Sequence, residues 1–366
     1  MSPANDVSYF KPQSISELQD MFSSVSKCLP RGGGSKPALS SAPPGSVVME
    51  MTGLAGVLEY DPEEFTITAL AGTPVREVSQ LLAQNGQYFP FDPILSARGA
   101  TLGGSVAAGV SGSGRYRYGG VRDFLLGVQF LEGGGKLVRG GGKVVKNAAG
   151  FDLPKLLTGS LGRLGILVEV TFKVFPKPEA WTSAFFVRKS MPEILDLMQK
   201  VAELRLDLHV MDIAPTEIGY ELQVRLAGLE SALTSRLDRL TNSIAPNQSL
   251  SAGDDQSYWE SIQEMSWVPA GWSLVKVPMT PSRIPAFEAA LASRQAICRY
   301  SVGGQLAWVA IPEDPGALDS LLKSQGLAGL VLFGPSGILR LGEDRAEPFL
   351  QRVKQALDPA HRFLEV

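Results

Sequence analysis

The chain has 366 residues, 44% of them hydrophobic and 19% charged, with a net charge of −3. This length suits two domains of ordinary globular composition. The near-neutral balance gives no electrostatic reason to bind nucleic acid or an anionic membrane surface. Two cysteines, Cys28 and Cys298, are expected as reduced thiols; an iron–sulfur cluster takes about four thiolates, so such a centre belongs on another chain. The first residues lack a signal-peptide pattern, and no apolar run approaches the ~20 residues of a membrane span. The expectation is a soluble, cytoplasmic protein with no transmembrane segment.

Ser14-Ile-Ser-Glu17 reads as a capping box, followed by Ile15, Leu18, Met21, Phe22 and Val25 at helical spacing. The chain then passes Cys28-Leu-Pro30 into an Arg31–Ser35 turn. Strands are expected at 47–51 and 65–70, and Thr73-Pro74 predicts a helix with Pro at its first position, ending near Gly86. Phe130 to Val138 reads as a hairpin around Gly133–Gly135. Ile166, Val168, Val170, Phe172 and Val174 alternate with polar residues, the clearest strand in the sequence. Pro176-Lys-Pro178 sets the expected boundary, giving domains 1–178 and 179–366. The second half predicts helices at 191–204 and 229–243 and a loop at 246–257. Its strands are expected at 209–213, 220–226, 272–277, 308–311 and 329–333. That rhythm suggests an antiparallel sheet with helices on one face. The fold class is α+β.

Roughly half of the 39 glycines fall between Ala100 and Pro176. Glycines between apolar runs let backbone N–H groups approach a large ligand. Three in a row at Arg31-Gly32-Gly33-Gly34-Ser35 can turn several N–H donors into one concavity, which suits a pyrophosphate. A flexible surface turn is the plain alternative. Gly103, Gly104, Gly159, Gly162 and Gly165 lie where strands or helices begin and are the better ligand candidates. Gly133–Gly135 and Gly140–Gly142 read as turns. A P-loop pattern is missing, and Gly112-Ser-Gly114-Arg-Tyr-Arg117 lacks the last glycine of a Rossmann fingerprint. Together these loops point to a flavin dinucleotide held by backbone.

Thr101-Leu-Gly-Gly104, Tyr118-Gly-Gly-Val-Arg-Asp123, Lys146-Asn-Ala-Ala-Gly-Phe-Asp152 and Gly159-Ser-Leu-Gly-Arg-Leu-Gly-Ile166 carry a strong resemblance. They resemble the FAD-binding (PCMH-type) domain of the vanillyl-alcohol oxidase / p-cresol methylhydroxylase superfamily. Within it the chain is most similar to the family of the smaller FAD-binding subunits of glycolate oxidase (glycolate dehydrogenase), a three-subunit enzyme. The match covers residues 28–178; Gly303-Gly-Gln-Leu-Ala-Trp308 and Arg352 to Pro359 extend it more weakly. The final His361-Arg-Phe-Leu-Glu-Val departs from the family's Phe-Asn-Pro-Gly ending, which puts any C-terminal Asn contact to flavin in doubt.

The resemblance implies a two-subdomain PCMH-type domain followed by an α+β cap domain whose C-terminal helix returns to the first domain. It implies FAD contacts at Arg31, Gly32, Gly33, Gly34 and Ser35 around the pyrophosphate. A second loop contributes Thr101, Gly103, Gly104 and Ser111, and Gly159, Gly162 and Ile166 are implied at backbone positions on the adenine and ribitol side. Asp123 is expected to hold its own loop. Many relatives bond flavin covalently through a histidine in the first loop; Gly-Gly-Gly-Ser here implies noncovalent FAD. The implied partners are a catalytic FAD subunit and an iron–sulfur subunit, with membrane contact only through them. The implied substrate is a small 2-hydroxy acid such as glycolate or D-lactate.

Oxidising a 2-hydroxy acid takes a base, a hydride acceptor and cations for the carboxylate. Only His209 and His361 are available as histidines. Alternation in Asp207-Leu-His-Val-Met-Asp212 could aim Asp207, His209 and Met211 at one face, making His209 a base or a metal ligand with Asp207 or Asp212; a buried structural histidine is the alternative. A metal site usually takes three or four ligands, and none is expected. Arg115, Arg117, Lys143 and Lys146 are candidate cations beside solvated-loop readings, and Trp259, Trp267, Trp272 and Trp308 are expected mainly as packing. No catalytic residue is assigned. Beside the complex subunit stand two other readings: a self-sufficient FAD-dependent dehydrogenase and a structural subunit with a vestigial flavin site.

Overall fold

The computed structural model describes residues 7–142, 151–244, 248–250, 252–312, 314–335, 337–343 and 347–365. The chain divides into two compact units, one of Met1–Ser111, Gly120–Lys177 and Arg345–Val366 and one of Gly112–Gly119 and Pro178–Asp344. Residues Gly112–Gly119 thus fold with the second unit although both their neighbours in sequence belong to the first.

The first unit starts with the helix Ile15–Ser23. Ser14 Oγ accepts from Glu17 N at 3.1 Å, while Glu17 Oε2 accepts from Gln13 N at 2.7 Å, one residue earlier than in a standard capping box. Its apolar face buries Leu18 and Phe22 against Cys28, Met49, Ile166, Val168 and Phe363. A parallel three-stranded sheet sits over this cluster in the order Ser8–Phe10, Val47–Glu50, Cys28–Arg31. The second sheet is antiparallel, in the order Val57–Asp61, Thr66–Leu70, Ile166–Lys173, Leu125–Leu131, Leu137–Gly141. The strand expected from strict alternation is its centre. Thr73 does not cap the next helix. Its hydroxyl donates to Leu70 O at 2.6 Å, Pro74 takes the cap position in extended backbone, and the helix runs Val75–Gln84.

The helix Glu347–Leu357 belongs to this unit. Lys354 Nζ, buried, donates to Asp358 Oδ2 at 3.0 Å, Leu364 O at 3.1 Å, and Arg163 O and Phe363 O at 3.2 Å. Asp358, fully buried, also accepts from Arg362 N and Phe363 N, and Cys28 N donates to Arg362 O at 2.7 Å. A Cβ on Gly133 would collide with Asp358, so the hairpin turn is glycine because the C-terminal tail crosses it. Removing one member of such a buried pair strands the other charge. Lys354→Met is therefore expected to cost about 3–5 kcal/mol of unfolding free energy in urea titrations followed by circular dichroism.

The second unit is an antiparallel sheet of nine strands among the described residues. Their order is Gln248–Leu250, Ala180–Arg188, Gly219–Gly228, Val210–Thr216, Ile297–Ser301, Leu306–Ile311, Ser273–Pro278, Ala328–Phe333, Arg340–Gly342. Helices pack on both of its faces, which corrects the one-face expectation. Asp255, from the helix Ala252–Gln263, bonds Ser183 and Arg225 on one face. On the other, Glu288 of Ile284–Leu291 accepts from Tyr220 OH at 2.9 Å and Tyr300 OH at 2.6 Å. The loop expected at 246–257 is likewise corrected: Gln248–Leu250 is an edge strand, and the helix begins at Ala252. A tertiary ion pair holds that helix. Arg225 donates through Nε and an Nη to Asp255 Oδ2 at 2.9 and 2.7 Å, and Trp259 Nε1 donates to Ser183 Oγ at 2.9 Å.

Candidate functional site

In the first unit three glycine-bearing segments converge on a narrow cleft. The first is Arg31–Ser35, leaving the strand Cys28–Arg31; the second is Thr101–Ala108; the third is Leu161–Gly165. Thr101 is their hinge pin. Its Oγ1 accepts from Gly104 N at 3.2 Å, capping the short helix Leu102–Ala108, and a Cβ on Gly32 would run into that same oxygen. A Cβ on Gly33 would strike the Gly99 carbonyl, and one on Gly103 would strike Ala71. The third segment is tied to the second by Leu161 N to Ala107 O at 2.8 Å and Gly159 N to Val106 O at 3.0 Å.

The cleft brings together Arg31, Gly32, Gly33, Gly34, Ser35, Thr101, Gly103, Gly104 and Gly162. It does not include three other expected positions. Ser111 is buried and its Oγ accepts from Val121 N at 3.0 Å; Gly159 lies behind the wall in left-handed backbone (φ 83°); Ile166 is wholly buried in the core beside Leu18 and Phe363. Asp123 Oδ2 accepts from Gly120 N at 2.8 Å and so closes its own turn. Lys143, Lys146 and the rest of Lys146–Gly150 lie outside the described residues. Sequence reasoning missed Lys36, Ala107, Ala108 and Leu161, which also line the cleft. Leu161 carries φ 54°, a left-handed value that no composition pattern announces in a leucine. The walls are thus mainly backbone and small side chains. Gly34 (φ 70°) has open space where a side chain would stand, so a bulky flat cofactor can lie against bare peptide there.

In the second unit, neither Asp207 nor Asp212 joins His209, and the buried structural alternative is the one that forms. Asp207 has φ 59°, which breaks the alternation, and its carboxylate pairs with Arg117. Asp212 is buried and accepts from Ser113 Oγ, Ser301 Oγ at 2.9 Å and Val302 N at 3.0 Å. Burial pushes its carboxyl up to about 6 despite those bonds. His209 sits edge-on to Trp181 (4.5 Å) and Tyr118 (5.7 Å). Burial first, then the charges of Arg225 and Arg117, push it down to about 3. Among the described residues no group of three or more His, Cys, Asp and Glu is placed to hold a metal ion. Trp259 and Trp308 are buried, and Arg299 lies over Trp267 at 5.6 Å, so these rings pack the sheet. Lys276, opposite Trp308 in the sheet, is pushed down to about 8 by burial and then by Arg115.

Residues 8–141 match the FAD binding domain family model. The chain is 31% identical to the glycolate oxidase subunit GlcE of Escherichia coli (strain K12), over 84% of this chain and 83% of that protein. It belongs to this family of FAD-dependent oxidoreductases. It is also 28% identical to the glycolate oxidase subunit GlcD of Bacillus subtilis (strain 168), across 55% of this chain and 42% of that one. A D-lactate dehydrogenase of Anaerostipes hadrus matches at 28% across 50% and 43%. Of these latter two relatives the chain spans less than half the length. Solved structures of an alkyldihydroxyacetonephosphate synthase share the fold, with a TM-score of 0.70 over 96% of this chain and 74% of that one at 15% identity. FAD is the cofactor that this family's domain takes. Among the described residues no helix is long and apolar enough to cross a membrane.

Two expectations test this description. Gly33→Ala should destabilise the first unit by about 1–3 kcal/mol, because the new Cβ meets the Gly99 carbonyl and the backbone must shift; differential scanning fluorimetry of the FAD-free protein reads it. His209, depressed in the fold, stays neutral while the unfolded chain takes up a proton below pH 6.5, so stability drops as pH falls from 6.5 toward 3. His209→Asn removes that slope. Relative to the variant, wild-type unfolding free energy should fall by up to ~1.4 kcal/mol per pH unit across that window in denaturant titrations.

Proposed function

We propose that this chain is the FAD-binding subunit of a glycolate-oxidase-type complex. The complex oxidises glycolate, D-lactate or a similar 2-hydroxy acid and passes electrons to a partner iron–sulfur subunit. The reading is carried by the match to GlcE across most of both chains, with the cleft of bare backbone where FAD-binding loops are expected. In it the first unit is the flavin domain and the second, including Gly112–Gly119, is the cap. Arg31 to Ser35 cradle the pyrophosphate, Thr101, Gly103 and Gly104 form the second wall, and Gly162 lines the third. FAD is held noncovalently, since the first turn offers no histidine to bond it. When bound, FAD supplies the hydride acceptor.

The chain's own side chains favour a division of labour. His209 is enclosed by Trp181 and Tyr118 and held uncharged, and Asp212 is spent on two hydroxyls and a backbone N–H. Neither presents a base to a solvent-borne substrate. A partner catalytic FAD subunit therefore completes the substrate chemistry. The complex is cytoplasmic and touches a membrane only through its partners.

The deciding experiment is the visible spectrum of the purified chain, reconstituted with FAD and treated anaerobically with glycolate. The expected result is a yellow protein that stays oxidised alone and bleaches when partner subunits are added. Bleaching of the isolated chain would show a self-sufficient dehydrogenase instead. A chain that takes up no FAD but still binds its partners would be a structural subunit.

A further inference from the structure

The third segment of the cleft is held in a shape that its own residues do not favour. Leu161 (φ 54°) and Gly162 (φ 70°) are left-handed in succession, and a leucine adopts that backbone only where its surroundings impose it. Arg163 N donates to Ser160 O at 2.9 Å and closes the turn from within. From outside, Arg163 O accepts from the buried Lys354 Nζ at 3.2 Å. The other bonds of Lys354 go to Asp358, Phe363 O and Leu364 O, all in its own C-terminal segment. The Arg163 bond is thus where Lys354 joins that segment to the cleft. The same tail also reaches the first wall. Cys28 N donates to Arg362 O at 2.7 Å, Cys28 bridges Phe363, and the strand Cys28–Arg31 runs directly into the Gly32 turn. These two walls lean on each other, since a Cβ on Gly162 would come within 2.8 Å of Pro30 Cγ. The tail itself stays behind them: no described residue of 347–365 lines the cleft.

We infer that Lys354 is a positioning residue for cofactor binding. Through Arg163 O it fixes the turn that presents Gly162, and the tail it anchors fixes the start of the first wall at Cys28. The inference rests on the cleft being the FAD site and goes beyond it, because a segment outside the cleft then sets how tightly the cofactor is held. Coupling of this kind is reciprocal: a docked tail favours bound FAD, and bound FAD favours the docked tail.

The test measures FAD affinity by flavin fluorescence for wild type, Lys354→Met/Asp358→Asn and Leu82→Ala. The double variant removes both charges together, so neither is stranded in the core. Leu82, buried in the helix Val75–Gln84, belongs to neither cleft nor tail, and its truncation loosens the same unit. In buffer where circular dichroism shows each protein folded, the double variant should bind FAD roughly three- to tenfold more weakly, the range of one hydrogen bond. Leu82→Ala should keep the wild-type affinity. Equal losses in the two variants would mean general loosening and overturn the inference, as would wild-type affinity in the double variant. Should the double variant fail to fold, hydrogen exchange of the wild type decides. Saturating FAD should slow the amides of Arg362 and Phe363, which donate to Asp358, and unchanged exchange there would overturn the inference. A wild type that binds no FAD would remove the cleft reading itself, an outcome distinct from one that binds FAD with an indifferent tail.

Discussion

The first unit is organised by one constraint: three stretches of backbone approach so closely that side chains are excluded between them. Gly32 rests against Thr101, Gly33 against the Gly99 carbonyl, and Gly103 against Ala71. Thr101 ties the arrangement together by capping its helix from the same oxygen that faces Gly32. Close packing of peptide on peptide leaves polar groups along the wall and gives the cleft its character. It also makes the cleft intolerant: Gly32, Gly33 and Gly103 are each fixed by what stands behind them.

The second unit solves another problem, the burial of charge. Its sheet carries Arg225 and Asp212, and each is satisfied by specific partners. Arg225 takes Asp255 and stacks on Trp181 at 4.2 Å; Asp212 takes two serine hydroxyls and a backbone N–H. Ser113 comes from the Gly112–Gly119 segment, whose Arg117 also pairs with Asp207. A short piece of chain is thus joined to the rest of this unit by a hydroxyl donor, an ion pair and the Tyr118 ring against His209.

Much of the flavin unit was legible because its signals are local. The capping box, the alternation from Ile166 and the glycine runs each state a conformation within a few residues. The cleft residues Gly32–Ser35, Gly103 and Gly104 stood out from the same glycines, while Thr101 was implied only by the family resemblance. Ile166, implied in the same way, is not a cleft residue, because strand alternation puts its side chain into the core while its neighbours Gly165 and Leu167 line the cleft. Lys36 and Leu161 were missed since burial of a lysine and a left-handed leucine are decided by tertiary packing. The same reason hid the helix at Ala252, whose residue Asp255 pairs with Arg225, 30 residues away in sequence. His209 was read as two alternatives, and packing by two aromatic rings selected the structural one.

The tail that crosses the Gly133 turn has a consequence for biosynthesis. Cys28 receives its backbone partner from Arg362 and bridges Phe363, and Arg163 O, next in sequence to the cleft's Gly162, waits for Lys354. The Cys28 contacts join the two ends of the fold, so they form only after the ribosome has delivered Arg362 and Phe363. Until then Phe22 lacks the Phe363 ring that stacks on it at 5.4 Å, and the apolar cluster beneath the flavin loops stays open. The closing of this cluster thus waits on the last residues of the helix-and-tail segment to leave the ribosome.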